Sequence, residues 1–514
     1  MTSGTSGSGG KTGGVGGAAV AGGSGSSGAG VGGSATGGVG VGGSAGVGAG
    51  GMSAGAGGTG GGAGAGNGGS GAGPTGVVVQ LDKTHQTIEG FGLNTALGNA
   101  AVPWDTFFTT TGFGLTIVRV AMDETGQLSG VLPPSSYNAK IIASAWTAPA
   151  NCKDNNNTQK GGHLLTSCYD SWSTTIAKFA KSQGLYAMGI ANEPDFASCG
   201  SSIGPPCNGD YDSMVYTAKE MVDFVNAVGP KLKDAGVKLL APEASEWLHL
   251  WSNASATGST AAAHTNSSDP LKCGCFANDP TTTGCASACE QGSGYDYGHW
   301  LAKDPTAWGF IDLLGTHEYD TQKALAWPAD VDGGKRSKEV WETELGGVKF
   351  WPYEGPSDSM ADALAVAEWI HSGLVVGEAS AWLWWWYTAE STDDNEGLVL
   401  KNSSMLTARC YTMGNYSKFV RPGYVMVEVA GNANTDLLIS AFQGPDATVV
   451  VAVNKGQTDA SVPISVTGGT APSSCSPYLT SATDKLAART AVPVTGGTFT
   501  AALPATSVTS FVCK

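Results

Sequence analysis

Two stretches of the chain run into a carboxylate and are then broken by a proline or by glycines. In the first, residues 185–191 carry no charge and lead directly to Asn192, Glu193 and Pro194. Such a run fits a strand covered on both faces, and Pro194 ends it because proline has no N–H to donate. In the second, residues 338–347 run into Glu344 before two glycines break the pattern. Each stretch therefore predicts a strand that presents an acid at its carboxyl end.

A pair of such acids is suited to the cleavage of glycosidic bonds. One carboxyl group must be protonated to donate to the leaving oxygen, while the other stays ionised to attack the anomeric carbon. Glu193 and Glu344 are 151 positions apart (344 minus 193), so only a fold that gathers distant strand ends on one rim can make them partners. A β/α barrel does so, because its C-terminal strand ends form the active face. The competing interpretation is that Glu193 is a loop residue beside a helix cap or in an ordinary salt bridge.

The apolar pattern after residue 76 predicts strands that alternate with helices. Eight strands are predicted, at residues 88–93, 115–121, 141–146, 185–191, 237–241, 310–315, 340–343 and 380–385. Helical spacing recurs between them, at residues 172–179, 218–228 and 360–374. This alternation predicts an α/β fold, a (β/α)8 barrel over residues 76–422. An open doubly wound sheet would instead need an early glycine fingerprint, which the sequence lacks.

The two ends of the chain have different compositions. From Gly423 the pattern changes to short strands without helices, which predicts an additional all-β sandwich domain over residues 423–514. A strand at residues 77–82 precedes the barrel and could join that sandwich. Residues 1–75 are almost entirely Gly, Ala, Ser, Val and Thr, with Lys11 as the one charged residue. This segment predicts a disordered linker, because it cannot bury a core.

The net charge limits the choice of partner. At −16, with a pI near 4.8, the chain lacks the basic surface that nucleic acid or an anionic membrane would need. A neutral polysaccharide or oligosaccharide is the better expectation, acted on by a monomer. No run of eighteen apolar residues is present, so no membrane span is expected.

The cysteine spacing predicts an oxidising, extracellular or cell-surface location, although no signal-peptide pattern follows Met1. Ten of the eleven cysteines fall into local groups, which are Cys152 with Cys168, Cys199 with Cys207, the cluster of Cys273, Cys275, Cys285 and Cys289, and Cys475 with Cys513. A zinc site in the cluster is the alternative, but its spacing does not match the usual ligand pattern on both sides. The remaining Cys410, in a helical pattern, is expected to be a small buried hydrophobe.

Four motifs, in order, resemble those of glycoside hydrolase family 30. They are the entry into the first strand at residues 86–92, the Ala-Asn-Glu-Pro-Asp sequence at 191–195, the Trp-Glu-Thr-Glu sequence at 341–344, and the link into the sandwich at 414–424. The matches span residues 77–514. The resemblance implies a retaining barrel with its acid/base after the fourth strand and its nucleophile after the seventh.

Carried over by position, the resemblance implies that Glu193 is the acid/base and Glu344 the nucleophile. Strand alternation puts Glu342 on the same side as Glu344, so spacing alone does not choose between them. The implied substrate-binding residues around this pair are Asn192, which would bond the sugar 2-hydroxyl, Arg119, Trp146, His317, Tyr319, and one tryptophan of residues 384–386, with Trp386 preferred. No metal and no cofactor are implied.

The expected activity is hydrolysis of β-glycosidic bonds in a neutral plant-type polysaccharide, with endo-β-1,4-xylanase first. An endo-β-1,6-galactanase or β-1,6-glucanase is the alternative within the family. A carbohydrate-binding protein that kept the barrel and lost its chemistry is the alternative of a different class.

A side-chain preference also follows from the resemblance. Xylanases of this family that require a glucuronate branch use a basic residue in the loop after the eighth strand. Here residues 387–397 contain Glu390, Asp393, Asp394 and Glu396 and neither Arg nor Lys. We therefore expect a neutral or sparsely substituted substrate, unless Lys401 or another loop supplies the cation.

Overall fold

The computed structural model describes residues 76–196, 211–251, 296–319, 324–346, 358–389, 396–401 and 405–514. Within these ranges the strands are β1 (Val77–Thr87), β2 (Gly90–Asn94), β3 (Ile117–Met122), β4 (Leu128–Ser129), β5 (Lys140–Ala145), β6 (Ala187–Gly189), β7 (Lys238–Ala244), β8 (Ile311–His317), β9 (Glu339–Glu344), β10 (Ala381–Trp384), β11 (Thr388–Ala389), β12 (Val399–Leu400), β13 (Val425–Ala430), β14 (Leu437–Gln443), β15 (Thr448–Asn454), β16 (Ala460–Thr467), β17 (Ser474–Thr480), β18 (Ala487–Ala488), β19 (Val492–Pro493), β20 (Thr498–Leu503) and β21 (Ser507–Cys513). The α-helices are α1 (Trp104–Phe108), α2 (Tyr169–Gln183), α3 (Ala218–Ala235), α4 (Trp247–Leu250), α5 (Tyr297–Lys303), α6 (Pro305–Phe310), α7 (Met360–Val375) and α8 (Ala408–Ser417).

Eight parallel strands close into a barrel. Their order is β2-β10-β9-β8-β7-β6-β5-β3, and pairing of β2 with β3 completes the ring. Each of the eight corresponds to one of the predicted strands, with ends that differ by a few residues. The predicted (β/α)8 barrel is confirmed.

The barrel strands are buried on both faces, which is why their sequences are apolar with little alternation. One layer of side chains fills the interior, made of Ile117, Ile142, Ala187, Leu240, Leu313, Trp341, Ala381 and Leu383. The opposite faces of the strands pack into the main core with the surrounding helices. Helix α3 begins with a capping box, in which Thr217 and Glu220 satisfy each other's backbone N–H groups, and ends at Gly236 in the left-handed conformation.

A second, mostly antiparallel sheet forms the additional β domain. Its main path is β18-β17-β21-β15-β14-β13-β1-β16-β20, and β19 pairs with β17. Strand β1, at the start of the barrel segment, lies in this sheet between β13 and β16. The sheet has its own apolar core, in which Phe499 of β20 lies 5.3 Å from Phe511 of β21, centroid to centroid. The predicted sandwich is confirmed as a fold class, while the domain boundary at residue 423 stays a prediction.

Helix α8 connects the sheet to the barrel. The side-chain amide of Asn415 donates to the carbonyl oxygen of Tyr478 at 3.1 Å and to the hydroxyl of Ser510 at 2.9 Å. Because Asn415 is fully buried, these bonds replace those that it would make to water.

Disulfide bonds join Cys152 to Cys168 and Cys475 to Cys513, as the spacing predicts. Cys410 is a buried free thiol whose pKa is raised by that burial, in agreement with an inert core residue. The other six cysteines lie outside the described residues, so their predicted pairing is untested. Within the described part of the chain, no helix has the length and apolar character needed to cross a membrane.

A buried ion pair between α7 and α8 generates a stability prediction. The Arg409 guanidinium donates from Nε to Asp362 Oδ2 at 2.8 Å and from Nη2 to Asp362 Oδ1 at 2.7 Å, with the arginine fully buried. Replacing Arg409 by Met leaves the Asp362 carboxylate buried without its cation. We expect Arg409→Met to destabilise the protein by about 3–5 kcal/mol, measured from the shift of the urea unfolding midpoint.

The matched control is Lys233→Met on the exposed end of α3, where a change of no more than about 0.5 kcal/mol is expected. Equal midpoints for the two variants would show that the buried pair does not hold the helices.

Candidate active site

A single buried arginine connects the ends of most barrel strands. Arg119 on β3, the second barrel strand, is 0% exposed. Its Nη1 donates to Glu344 Oε2 at 2.6 Å, and its Nη2 donates to Asn192 Oδ1 at 2.6 Å. Its Nε lies 3.1 Å from Glu243 Oε1. Further contacts reach Asn94 and Ser144. The guanidinium therefore sets the positions of side chains from the first, third, fourth, fifth and seventh strands.

Glu344 ends β9, the seventh barrel strand, and both of its oxygens have donors. Arg119 bonds to Oε2, and the hydroxyl of Tyr319 donates to Oε1 at 2.9 Å. Burial raises the pKa of the Glu344 carboxyl, and the positive charge of Arg119 and the Tyr319 bond oppose that rise. Donors on both oxygens favour the ionised form that a nucleophile needs.

The expectation that Glu342 and Glu344 face the same side is wrong. The pairing of β8 with β9 shifts by one residue between Thr316–Glu342 and His317–Glu344. This bulge breaks the alternation of the strand. On the next strand Ala381 pairs with Trp341, and both fill the barrel interior, whereas Glu342 pairs with Trp382, which packs in the outer core.

Glu342 therefore lies on the helix side of the strand. Its side chain is 0% exposed. Burial and the neighbouring charge of Glu318 raise the pKa of Glu342 well above its ordinary value. A protonated side chain on the outer face cannot attack a sugar held inside the rim. The geometry of the strand thus distinguishes Glu344 from Glu342 as the nucleophile, whereas their spacing in the sequence does not.

Glu193 follows β6, the fourth barrel strand, as the first motif predicts. Its backbone has φ 46°, a left-handed conformation that non-glycine residues seldom adopt and that is common at functional positions. The side chain is about 12% exposed, and Oε1 lies 3.1 Å from His317 Nδ1. A further hydrogen bond joins it to Tyr211.

The electrostatic surroundings of Glu193 favour the protonated form. Burial raises its pKa to about 8, and the negative charge of Asp195 adds to the rise. Burial raises the pKa of Asp195, but hydrogen bonds from His249 and Ser245 outweigh that effect. They lower the pKa of the Asp195 carboxyl and keep it ionised. Burial also lowers the pKa of His317, so the imidazole beside Glu193 is neutral.

The two acids are close together. One carboxylate oxygen each of Glu193 and Glu344 and one ring nitrogen of His317 all lie within 4.8 Å of one another. This spacing is near the roughly 5–5.5 Å of retaining glycosidases and well below the roughly 6.5–9.5 Å of inverting ones, which need room for a water molecule. The short spacing leaves Glu344 positioned to attack directly.

The same three residues could hold a metal ion by distance alone. However, the Arg119 guanidinium already lies 2.6 Å from Glu344 Oε2, and a second cation at that oxygen would be repelled. We therefore interpret the cluster as an acid and a nucleophile with their supporting histidine.

Aromatic rings form one wall beside the acids. Trp146, at the end of the third barrel strand, lies 6.3 Å from Trp385, centroid to centroid, and its ring faces the Arg119 guanidinium at 4.9 Å. Trp385 follows the eighth strand and is half-buried, whereas Trp384 is fully buried in the outer core. Trp386, the residue preferred from the sequence, stacks on Trp385 with 6.0 Å between ring centroids. Of the three tryptophans, Trp385 is the one whose ring contacts Trp146.

Several residues of the site were missed from the sequence. Glu243 ends the apolar run of β7 after Pro242, a pattern like that of Glu193, and could have been found by the same reasoning. Gly189 leaves room for it, because a Cβ there would collide with the Glu243 carboxylate. Asn94, Ser144 and Tyr211 carry no comparable signal, since each is a common polar residue whose role appears only when the strands are brought together.

The chain has curated relatives, although no family model matches it. The glucuronoxylanase XynC of Bacillus subtilis is 27% identical over 417 residues, which cover 78% of this chain and 81% of the relative. The glucuronoxylanase XynC of Bacillus subtilis strain 168 is 26% identical over 467 residues, or 85% of this chain and 91% of the relative.

Solved structures share the fold. The glycoside hydrolase family 30 subfamily 8 xylanase Xyn30A of Clostridium acetobutylicum matches with a TM-score of 0.64 at 24% identity, covering 86% of this chain and 100% of that chain. The family 30 endoxylanase of Clostridium papyrosolvens C71 gives 0.61 at 24% identity, with 85% and 99% covered. The endo-β-1,6-glucanase BT3312 gives 0.56 at 17% identity, with 86% and 94% covered.

The barrel, the sandwich and the curated relatives define the class of the protein as a glycoside hydrolase. Within that class, the resemblance to glycoside hydrolase family 30 is confirmed: the curated relatives are glucuronoxylanases, and solved family 30 xylanases have the same fold.

The contrast between Glu344 and Glu342 generates a three-variant prediction. We expect Glu193→Gln to reduce turnover of a polysaccharide by roughly 10²–10⁴-fold and Glu344→Gln by roughly 10³-fold or more. Glu342→Gln should stay within about threefold of wild type, because glutamine has the shape of the protonated acid that it replaces. Initial rates of reducing-end release measure all three.

Glu342→Gln is the matched control, since it makes the same chemical change two residues away on the same strand. Loss of activity in Glu342→Gln with retention in Glu344→Gln would move the nucleophile to Glu342.

Proposed function

We propose that the protein is a retaining endo-β-1,4-xylanase. The observation that carries the proposal is the pair Glu193 and Glu344, with oxygens within 4.8 Å at the ends of the fourth and seventh barrel strands. Their surroundings differ in the sense that double displacement requires, because Arg119 lies against Glu344 while Asp195 lies near Glu193. Xylan as the substrate is supported by the two glucuronoxylanase relatives.

In the first step Glu344 attacks the anomeric carbon of the bound sugar, and a covalent glycosyl–enzyme forms. Glu193 gives its proton to the departing glycosidic oxygen, so that the leaving group departs as a neutral alcohol. Asn192 is anchored to Arg119 by its amide oxygen. That bond leaves the Asn192 amide NH₂ directed away from the guanidinium, where it can donate to the sugar 2-hydroxyl.

In the second step water releases the sugar from Glu344 with retained configuration. Formation of the covalent bond removes the negative charge of Glu344. Glu193, which interacts electrostatically with that charge, then becomes a stronger acid and returns as a carboxylate able to deprotonate the water. Arg119 and Tyr319 stabilise the carboxylate of Glu344 as it departs.

The sugar next to the catalytic pair is proposed to lie against Trp146 and Trp385. Flat aromatic faces fit the apolar face of a pyranose ring, and these two rings line the same wall as Arg119. We further propose that the protein acts as a monomer outside the cell. The two disulfide bonds among the described residues support the extracellular location.

A glucuronate branch is not required in our proposal. The loop after the eighth strand has no Arg or Lys in residues 387–397, and its described ends supply only the carboxylate of Glu396. The acids Glu390, Asp393 and Asp394 lie outside the described residues. Lys401 is exposed and directly follows β12. If the enzyme did require a glucuronate branch, Lys401 would be the candidate cation for binding it.

The raised pKa of Glu193 sets the expected pH dependence. A pKa of about 8 means that the acid is protonated below that pH and loses its proton above it. We therefore expect kcat/KM on xylan to fall as the pH rises through about 8, since the free enzyme then lacks its proton donor. The pH profile of initial rates measures this limb.

An aryl β-xyloside with an acidic phenol as leaving group is the control substrate. Its phenolate departs without protonation, so the alkaline fall should disappear with this substrate if Glu193 is its cause. A fall near the ordinary range of a glutamate, at about pH 4–5, would contradict the assignment.

The glucuronate question is decided by comparing xylans. We expect rates on unsubstituted or arabinose-substituted xylan to lie within about threefold of the rate on glucuronoxylan, because the loop that would grip the branch carries negative charge. Product chain lengths and rates on the purified polymers measure this preference. Strict dependence on glucuronate would refute it, and hydrolysis of a β-1,6-glucan or β-1,6-galactan with no action on any xylan would replace the xylanase proposal.

A further inference from the structure

One buried lysine takes no part in the catalytic steps. Lys153 is 2% exposed, and its ammonium group donates to Thr147 Oγ1 at 3.0 Å, the Thr158 carbonyl oxygen at 3.1 Å and the Ser213 carbonyl oxygen at 2.6 Å. All three acceptors are neutral. Burying a charge among neutral acceptors is costly. The burial of Lys153 therefore indicates a role other than packing.

The lysine joins two segments that lie far apart in the sequence. On one side is the loop of residues 147–168, which follows the third barrel strand and is closed by the Cys152–Cys168 disulfide. On the other side is the segment of residues 211–216. Backbone bonds run between them, from Ser213 N to Thr158 O at 3.0 Å and from Val215 N to Gly162 O at 3.1 Å.

The segment of residues 211–216 also reaches the acid/base. At one end, Tyr216 N donates to the Pro194 carbonyl oxygen at 2.8 Å, directly after Glu193. At the other end, the Tyr211 side chain forms a hydrogen bond with the Glu193 carboxyl group and packs with Trp146. Thus Lys153 bonds to Ser213, two residues from Tyr211, and to Thr147, the residue after Trp146.

We propose that Lys153 is a positioning residue for the hydrolysis proposed above: its ammonium group joins the residue that follows Trp146 to the segment that carries Tyr211, and so sets the hydrogen bond from Tyr211 to Glu193. Two of the three hydrogen bonds hold the ammonium group to its own loop, at Thr147 and Thr158, and the third, the shortest, crosses to Ser213 in the other segment. Trp146, which is proposed to contact the sugar, and the acid/base Glu193 are then held in place by the same lysine.

The groups around Lys153 and Glu193 shift the pKa values of both residues. Burial lowers the pKa of Lys153 to about 8, and Asp212 and Asp154 oppose that fall. At Glu193, burial and Asp195 raise the pKa, whereas Arg119 and the Tyr211 hydrogen bond lower it, and Glu246 adds to the rise. His317 lies against the same carboxyl group and is neutral. Loss of the Tyr211 bond alone should therefore raise the pKa of Glu193.

The test reads the protonation of Glu193 without a substrate. Difference infrared pH titration of the free enzyme follows the protonated carboxyl band, and the part that is absent in Glu193→Gln belongs to Glu193. We compare wild type with Lys153→Met, Lys153→Arg, Tyr211→Phe and the double variant. Lys178→Met, an exposed lysine on α2, is the matched control.

We expect Tyr211→Phe to move the Glu193 titration to higher pH and Lys153→Met to move it in the same direction. The double variant should show no further shift, because both changes remove the same bond. Lys153→Arg should restore at least half of the Lys153→Met shift, and Lys178→Met should titrate as wild type does. On xylan, kcat of Lys153→Met should fall roughly tenfold with KM changed less than about twofold.

An unmoved titration in Lys153→Met, or shifts that add in the double variant, would overturn the proposal and leave Lys153 as a structural residue. If Lys153→Met does not fold, Thr147→Val removes one acceptor and should give a smaller shift of the same sign, and a wild-type titration there would overturn the proposal equally. Failure of the wild-type protein to cleave xylan would refute the proposed function only, because the titration does not depend on it.

Discussion

The buried guanidinium of Arg119 is the interaction on which the rest of the site depends. A fully buried cation is stable only where carboxylates and amide oxygens surround it, and here Glu243, Glu344 and Asn192 do so. Each of these partners comes from a different barrel strand. Closure of the eight strands is therefore needed to satisfy the charge, and the satisfied charge in turn fixes the directions of the side chains that face the substrate.

The same cation gives the two acids their different characters. Glu344 is bonded to it directly, while Glu193 is held by neutral His317 and by Tyr211 and lies close to ionised Asp195. Burial raises the pKa of both acids, so burial alone would not separate them. The separation comes from the direct bond of Arg119 to Glu344 and from the negative charge of Asp195 near Glu193, and this asymmetry makes one acid a proton donor and the other a nucleophile.

Much of the architecture follows from local sequence patterns. Most of the barrel strands are largely apolar runs, because parallel strands are buried on both faces, and such runs are visible without knowledge of their neighbours. The exception is β9, in which three of the six residues are glutamates. The position of Glu193 follows from Pro194, which ends its strand. Family resemblance selects Glu344 over Glu342, but the physical reason for that choice is a one-residue shift between β8 and β9. A bulge depends on the partner strand, so alternation within β9 alone misplaces Glu342.

The remaining residues of the site depend on contacts across the fold. Trp385 rather than Trp386 lies beside Trp146 because of the path of the chain after β10. The sequence pattern of β7 indicates the position of Glu243 but not its bond to Arg119, and for Lys153 the sequence shows neither the burial nor the partners. In each case the informative fact is a distance between segments separated by tens of residues, and local periodicity carries no such information.

The stereochemistry of the first product tests the account most directly. Arg119 holds Glu344 with a carboxylate oxygen within 4.8 Å of one from Glu193. This spacing leaves no room for a water molecule between Glu344 and the anomeric carbon, so the reaction requires a covalent intermediate. Proton NMR of xylo-oligosaccharide hydrolysis, followed from the first minutes before the anomers equilibrate, shows which anomer is released. Initial appearance of the β-anomer is the predicted result, and initial release of the α-anomer would contradict the proposed nucleophile and the geometry built around Arg119.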